Sequence, residues 1–263
     1  MSDNNPVYNT IGTTYNTTRN ADPYLAGRLY HLLSPDTEGK YLDIGCGTGN
    51  YFRALSDMGV DLLGIDPSET MLQAARANNP DKTFLCAKAE NIPFDDNYFD
   101  GGIGTFTMHH WDSIADGMKE LNRIAKPGAR FVFLSFAPEQ MDRYWLKHYF
   151  PDMIKLSGDL VPSIPKMTEL LLNNGFNNVT TEKYFVHEEL TDLFLFAYKY
   201  QPEKYLDPKV RSGASSFRLF VEEEELNNGL AKLEEDINSG AIDAIIENYE
   251  NDLGDYLFYV ATK

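Results

Sequence analysis

The first half of the chain alternates short apolar runs with stretches in which apolar residues recur every three or four positions. Short apolar runs indicate buried strands, and the longer spacing indicates amphipathic helices. The pattern predicts a helix at 21–33, strands at 41–44, 60–65, 83–86, 99–106 and 131–136, and intervening helices at 51–58, 68–77 and 113–124. Such alternation predicts crossover connections, and therefore a parallel sheet that helices cover on both faces.

The alternation stops after residue 136, where an aromatic segment interrupted by prolines begins. Beyond it the pattern predicts a helix at 166–172, a strand at 179–186, mainly helices over 187–252 and a last strand at 256–261. We therefore divide the chain into an N-terminal arm with a lid helix (1–33), core segments (34–136, 165–186 and 253–263) and two inserted cap segments (137–164 and 187–252).

Composition and charge narrow the class of protein. The 263 residues are 43% hydrophobic and 24% charged, which excludes a wholly disordered chain. A formal charge of −17 without a dense Lys/Arg cluster argues against a nucleic-acid partner. No apolar run is long enough to span a membrane, and the polar N-terminus is unlike a secretory signal. Because Cys46 and Cys86 make neither a disulfide framework nor a zinc site, we expect a cytoplasmic protein without a metal, and the oligomeric state stays open.

The strongest chemical signal is the glycine loop that follows the first predicted strand, in the segment Asp43-Ile44-Gly45-Cys46-Gly47-Thr48-Gly49. Glycines allow a tight turn and a close approach of a ligand to the backbone N–H groups, and the following helix adds its positive N-terminal end. The third glycine comes one residue earlier than in a dinucleotide-binding fingerprint. The carboxylate of Asp43 would repel a pyrophosphate but attract a cationic group, so we expect a cationic ligand here.

A second acid, Asp66, stands at the end of the second predicted strand. A carboxylate at this position can accept hydrogen bonds from both hydroxyls of a ribose. Pro67 and Met71, which follow it, are then placed to form a wall beside an adenine ring.

Several motifs, in order and at normal spacing, resemble those of the class I S-adenosylmethionine-dependent methyltransferases. They are YLDIGCGTGN, GIDPSETML, AENIPF followed by NYFD, TMHHW, and ELNRIAKPGARFVFLSF, and they cover roughly residues 40–136. The likeness is to the small-molecule branch that includes quinone-biosynthesis methyltransferases. It implies a Rossmann-like, doubly wound α/β fold with a seven-stranded sheet, mostly parallel with an antiparallel last strand, plus a helical cap.

The resemblance also implies roles for individual residues around S-adenosylmethionine. By this likeness Asp43, Gly45 and Gly47 hold the methionine portion and Asp66 holds the ribose. Ala89 and Glu90 lie beside the adenine, Thr105 lies under the amino-acid end, and Tyr15 and Arg19 belong to an arm that closes over the cofactor. One departure is Lys88, where the family often has an acid that accepts the adenine amino group, because lysine offers no acceptor.

The histidines of TMHHW follow the fourth predicted strand, where the pocket is expected to open. A histidine there, for which we take His110, can accept a proton from a substrate hydroxyl or amine near neutral pH. A packing or hydrogen-bonding role for the pair is the alternative.

The sequence thus predicts methyl transfer from S-adenosylmethionine to an O, N or C atom of a small-molecule acceptor, by in-line displacement at the sulfonium methyl. A protein that binds S-adenosylmethionine without transferring the methyl group is the main alternative. A nicotinamide-dependent oxidoreductase is a further alternative, against which the glycine spacing and Asp43 argue.

Overall fold

The computed structural model describes residues 20–263, which form a seven-stranded sheet with helices around it. Tyr15 and Arg19 lie outside the described residues. The strands are β1 (Lys40–Ile44), β2 (Asp61–Asp66), β3 (Phe84–Cys86), β4 (Phe99–Thr105), β5 (Ala125–Ser135), β6 (Asn178–Tyr184) and β7 (Tyr256–Thr262). The helices are α1 (Pro23–Leu33), α2 (Asn50–Asp57), α3 (Glu69–Asn78), α4 (Ile114–Ile124), α5 (Pro138–Met141), α6 (Pro151–Gly158), α7 (Ile164–Asn173), α8 (Pro208–Gly213), α9 (Ser215–Phe220), α10 (Glu223–Ser239) and α11 (Ala241–Asn248).

The strand order is β3-β2-β1-β4-β5-β7-β6, and β1 to β5 pair in parallel. Two hydrogen bonds show the relative direction of β6 and β7. Asn177 N–H, just before β6, donates to Thr262 O at the end of β7 at 2.7 Å. Asp255 N–H, just before β7, donates to Tyr184 O at the end of β6 at 2.8 Å. These two strands are therefore antiparallel. The predicted fold class, a mostly parallel seven-stranded α/β sheet with an antiparallel last strand, is confirmed.

The order of the strands creates the place for a ligand. The chain runs outward from β1 to β3 and then returns to the other side of β1 at β4. In open α/β sheets, ligands bind at such a reversal, beyond the carboxyl ends of the strands. The glycine loop follows β1 at this edge, and Asp66 is the last residue of β2.

Close packing explains the glycines within β4. A Cβ on Gly102 would lie 2.8 Å from the ring of Phe131, and one on Gly104 would lie 2.9 Å from the ring of Phe133. Both phenylalanines belong to β5 and are fully buried. The glycines therefore leave the room that two aromatic rings need against the centre of the sheet.

The chain forms two compact units. Among the described residues, the first consists of 20–135, 166–182 and 258–263, and it contains most of the sheet. The second consists of 136–165 and 183–257, and aromatic side chains fill its interior. Within it, Tyr144 stacks on Phe196 at 3.7 Å between ring centroids, and its hydroxyl lies 2.8 Å from that of Tyr205.

One expectation about secondary structure needs correction. The fifth strand, predicted at 131–136, begins at Ala125, so the segment Lys126-Pro127-Gly128 lies inside β5. Its pairing with β4 is irregular there, and Gly128 has a φ of +84°, so the proline and glycine mark a bulge. Helices fill most of 187–252, as the sequence predicts, although residues 187–201 contain none. Among residues 20–263, no helix is long and apolar enough to cross a bilayer.

Candidate functional site

The glycine loop joins β1 to α2 as the sequence predicts. Gly45, Gly47 and Gly49 have φ values of +66°, +53° and +78°, the left-handed region that favours glycine. Cys46 N–H donates to Ile65 O at 2.9 Å, which ties the loop to β2. A Cβ on Gly47 would meet no described atom within 4 Å, so the backbone of this residue faces open space.

Asp43 lies in the centre of the sheet, one residue before the end of β1. Its neighbours in register are Gly64 of β2 and Ile103 of β4, and its exposed fraction is 1%. Its Oδ1 atom has no hydrogen-bond partner among the described residues. Burial raises the pKa of Asp43 to about 8, and the negative charge of Asp66 adds to the shift. A buried carboxylate oxygen without a partner calls for a hydrogen-bond donor or a cation.

Asp66 ends β2 and is 8% exposed. Its Oδ2 accepts a hydrogen bond from Gly47 N–H at 3.0 Å, and its Oδ1 accepts one from Ser68 N–H at 2.8 Å. Burial raises the pKa of Asp66, although these two hydrogen bonds oppose the shift. Each carboxylate oxygen keeps a second lone pair, so both can still accept from a ribose hydroxyl.

The residues predicted beside an adenine lie after β2 and β3. Pro67 is exposed, Met71 is buried in the first turn of α3, and Ala89 is buried after β3.

Glu90 and Lys88, also after β3, have partners at the start of α4. Oε1 of Glu90 accepts a hydrogen bond from Ser113 N–H at 3.0 Å. Lys88 pairs with Asp112 at 2.6 Å, so both side chains tie the segment after β3 to the start of α4.

Thr105 is the last residue of β4 and is half-buried. A short 3₁₀ turn at Met108–His110 follows, with His110 exposed and the ring centroids of His109 and His110 3.7 Å apart. The turn therefore places two imidazoles beyond the carboxyl end of β4.

Sequence reasoning missed two side chains that shape this edge. Thr107 lies against Gly45, where a Cβ on the glycine would overlap its hydroxyl oxygen. The side-chain Nδ2–H of Asn78 in α3 donates to Thr48 O at 3.0 Å and so connects the glycine loop to α3. Thr107 begins the motif TMHHW, but nothing in that motif indicates a contact with Gly45, and Asn78 lies in none of the quoted motifs.

These residues fit S-adenosylmethionine. Its methionine portion carries an ammonium and its sulfur a positive charge, and the buried Oδ1 of Asp43 lacks a donor among the described residues. The backbone at Gly47 borders open space, and Asp66 adds acceptors for a nucleoside. A carboxylate at the position of Asp43 is a poor partner for a diphosphate.

The comparisons with known proteins agree with this arrangement. Residues 42–133 match a family model described as a methyltransferase domain. A demethylmenaquinone methyltransferase of Paenarthrobacter aurescens is 35% identical over 98 residues, 37% of this chain and 39% of that protein. One of Chlorobaculum tepidum is 28% identical over 187 residues, 64% of this chain and 76% of that protein. A solved structure from Anabaena variabilis, described as a methyltransferase from an antibiotic biosynthesis pathway, is 30% identical, with a TM-score of 0.82 over 94% of this chain and 99% of that one.

The strand order, the glycine loop and these matches define a methyltransferase with a Rossmann-like sheet. The chain belongs to the class I S-adenosylmethionine-dependent methyltransferases, as the motifs predict, and its cofactor is S-adenosylmethionine.

Proposed function

We propose that this protein transfers a methyl group from S-adenosylmethionine to an O, N or C atom of a small-molecule acceptor. The observation that carries the proposal is the Oδ1 atom of Asp43, two residues before Gly45. This atom is buried and has no hydrogen-bond partner among the described residues. This atom favours a cationic cofactor, whereas a nicotinamide dinucleotide would bring a diphosphate to the same loop.

In this proposal the residues after β1 and β2 hold the cofactor. Asp43, Gly45 and Gly47 bind the methionine portion, and Asp66 accepts hydrogen bonds from the ribose. Pro67, Met71, Ala89 and Glu90 surround the adenine, and Thr105 lies under the amino-acid end. For Tyr15 and Arg19 the role of a closing arm stays a prediction, as does the assignment of 137–164 and 187–252 as a cap.

S-adenosylmethionine, when bound, supplies a methyl group already activated on a sulfonium sulfur. The residues of the chain have to hold the acceptor atom in line with that methyl group and exclude water. A hydroxyl or amine acceptor must also lose a proton, and we propose His110, after β4, as the group that accepts it.

The names of the relatives support a small-molecule acceptor. Two of them are demethylmenaquinone methyltransferases, whose alignments cover 37% and 64% of this chain. A demethylated quinol is therefore the first acceptor to test, followed by a mixture of extracted cell metabolites.

Calorimetric titration with S-adenosylmethionine tests the cofactor site. We expect saturable binding, which Asp66→Ala weakens at least about tenfold because it removes two acceptor oxygens. Absence of binding at millimolar concentration would contradict the proposal.

Incubation with methyl-labelled S-adenosylmethionine tests the transfer itself. We expect label in the quinol or in one extracted metabolite. At an S-adenosylmethionine concentration below the dissociation constant of the wild type, Asp66→Ala should transfer about a tenth as much label or less, because occupancy there falls in proportion to affinity. Binding without any labelled product would favour the alternative, a protein that binds S-adenosylmethionine but does not transfer its methyl group.

A further inference from the structure

A hydrogen bond links two side chains of the segment that follows β4. The indole Nε1–H of Trp111 donates to Oγ1 of Thr107 at 3.2 Å. The backbone between them is a tight turn, because His110 N–H donates to Thr107 O at 2.9 Å and Trp111 N–H donates to Met108 O at 3.2 Å. The two side chains therefore connect the residues on either side of the turn that carries His109 and His110.

The same Thr107 hydroxyl lies against the glycine loop. Thr107 is 7% exposed, and a Cβ on Gly45 would overlap its Oγ1. A Cβ on Gly104 would lie 3.1 Å from its Cγ2. The hydroxyl oxygen that accepts from the indole is therefore also the Thr107 atom nearest to the first glycine of the loop.

Trp111 is itself held by the scaffold. Its ring packs on Gly117 of α4 so closely that a Cβ there would overlap it. It also meets the ring of Phe133 of β5 edge to face, with centroids 6.2 Å apart at 79°. Both contacts fix the direction in which the indole N–H points.

The backbone just before the turn has an uncommon conformation. Phe106 has a φ of +49°, although it is not a glycine, and its N–H donates to Leu134 O at 2.8 Å. Bulky residues rarely adopt this region and keep it only where the surroundings hold them there. Such positions concentrate at functional sites.

We propose that Trp111 is a positioning residue for the cofactor: by holding the Thr107 hydroxyl against Gly45, it keeps the glycine loop and the histidine turn in one arrangement. The inference rests on the proposed function, because it assumes that S-adenosylmethionine binds at this loop. The opposing explanation is that Trp111 only fills space between α4 and β5.

The first test uses the native chain labelled with 5-fluorotryptophan. The protein has two tryptophans, Trp111 and Trp145, and the spectrum of Trp111→Phe identifies the fluorine resonance of Trp111. We expect this resonance to shift when S-adenosylmethionine saturates the protein. A resonance that stays in place while calorimetry shows binding would overturn the inference and leave the proposed function standing.

The second test is a double-mutant cycle in the dissociation constant for S-adenosylmethionine. Trp111→Phe keeps an aromatic ring but removes the N–H, and Thr107→Val keeps the shape but removes the acceptor. Because each variant loses one net hydrogen bond, we expect each to weaken binding about three- to tenfold. The double variant should bind no more weakly than the weaker single variant, since both break the same link.

Thr107→Ser is the matched control, because it retains the hydroxyl and should recover most of the affinity that Thr107→Val loses. Two results would show that Trp111 has a packing role alone. One is that the single variants bind S-adenosylmethionine as tightly as the wild type does. The other is that the losses of affinity in the single variants multiply in the double variant. Lower melting temperatures with unchanged affinity would lead to the same conclusion. If the wild type itself does not bind S-adenosylmethionine, the proposed function fails and this inference fails with it.

Discussion

The carboxylate of Asp66 accepts a hydrogen bond from the backbone N–H of Gly47, at 3.0 Å between Oδ2 and N. The acid proposed to hold a ribose therefore also holds the glycine loop against the end of β2. Its other oxygen accepts from Ser68 N–H at 2.8 Å, at the residue that caps α3. One side chain thus connects the loop, the strand and the next helix, and its replacement should affect both binding and stability.

Asp66→Asn should show both effects. The amide has a single acceptor oxygen, and its NH₂ would face one of the two N–H donors. We expect a dissociation constant for S-adenosylmethionine at least about tenfold higher and a loss of about 1–3 kcal/mol in the free energy of unfolding. Calorimetry and urea denaturation measure the two quantities.

Asp61→Asn provides the control, since Asp61 is the exposed first residue of the same strand. Neither quantity should change there. Equal affinity of Asp66→Asn and wild type would remove Asp66 from the cofactor site.

Gly47→Ala tests whether the open space at the loop belongs to the ligand. A methyl group there would meet no described atom within 4 Å but would enter the proposed cofactor site. Gly59 offers a matched control at the amino end of β2, because it too has a positive φ, +92°, and open space. Both alanines should cost about 1–2 kcal/mol of stability through the left-handed backbone. Only Gly47→Ala should weaken S-adenosylmethionine binding, and equal binding by both variants would contradict the placement.

The stability of the ligand-free protein should depend on the ionisation of Asp43. Burial raises the pKa of Asp43 to about 8 and also raises that of Asp66, whereas an aspartate in the unfolded chain has a pKa of about 3.9. Between about pH 4 and pH 8 the folded chain keeps a proton that the unfolded chain has released. The free energy of unfolding should therefore fall as the pH rises through this window.

Asp43→Asn should make that fall shallower, by up to about 1.4 kcal/mol per pH unit, because the amide does not ionise. Urea denaturation between about pH 5 and pH 8 measures the slope. Parallel curves for the variant and the wild type would show that Asp43 is ionised in the folded protein throughout.

Cofactor binding should release a proton from Asp43. A cationic ligand favours the carboxylate, so affinity for S-adenosylmethionine should rise with pH, by up to about tenfold per unit between about pH 5.5 and pH 7. Calorimetry in two buffers of different ionisation enthalpy counts the released protons. We expect proton release from the wild type and less from Asp43→Asn; no release from the wild type would mean that Asp43 does not meet the cation.

Sequence patterns predicted the sheet well because buried strands and amphipathic helices repeat with different periods. The helix predicted from residue 68 illustrates this, since α3 begins at Glu69 and the hydroxyl of Ser68 accepts from Met71 N–H at 3.4 Å. The bulge at Lys126-Pro127-Gly128 was misread, because proline and glycine mark loops and bulges alike. Contacts between residues far apart in the sequence, such as that of the Thr107 side chain with Gly45, depend on packing and leave no periodic signal. For that reason the loop and its acids were predictable, whereas the supporting side chains were not.

His110→Gln tests the proposed proton acceptor. His110 is exposed on the turn after β4, so its replacement should leave the fold and the dissociation constant for S-adenosylmethionine unchanged. If it removes a proton from the acceptor, transfer of labelled methyl should fall by about a hundredfold or more at neutral pH. His31→Gln, at an exposed position of α1, is the control and should transfer as the wild type does. Undiminished transfer by His110→Gln would assign the histidine pair to packing or hydrogen bonding, or would point to an acceptor that needs no general base.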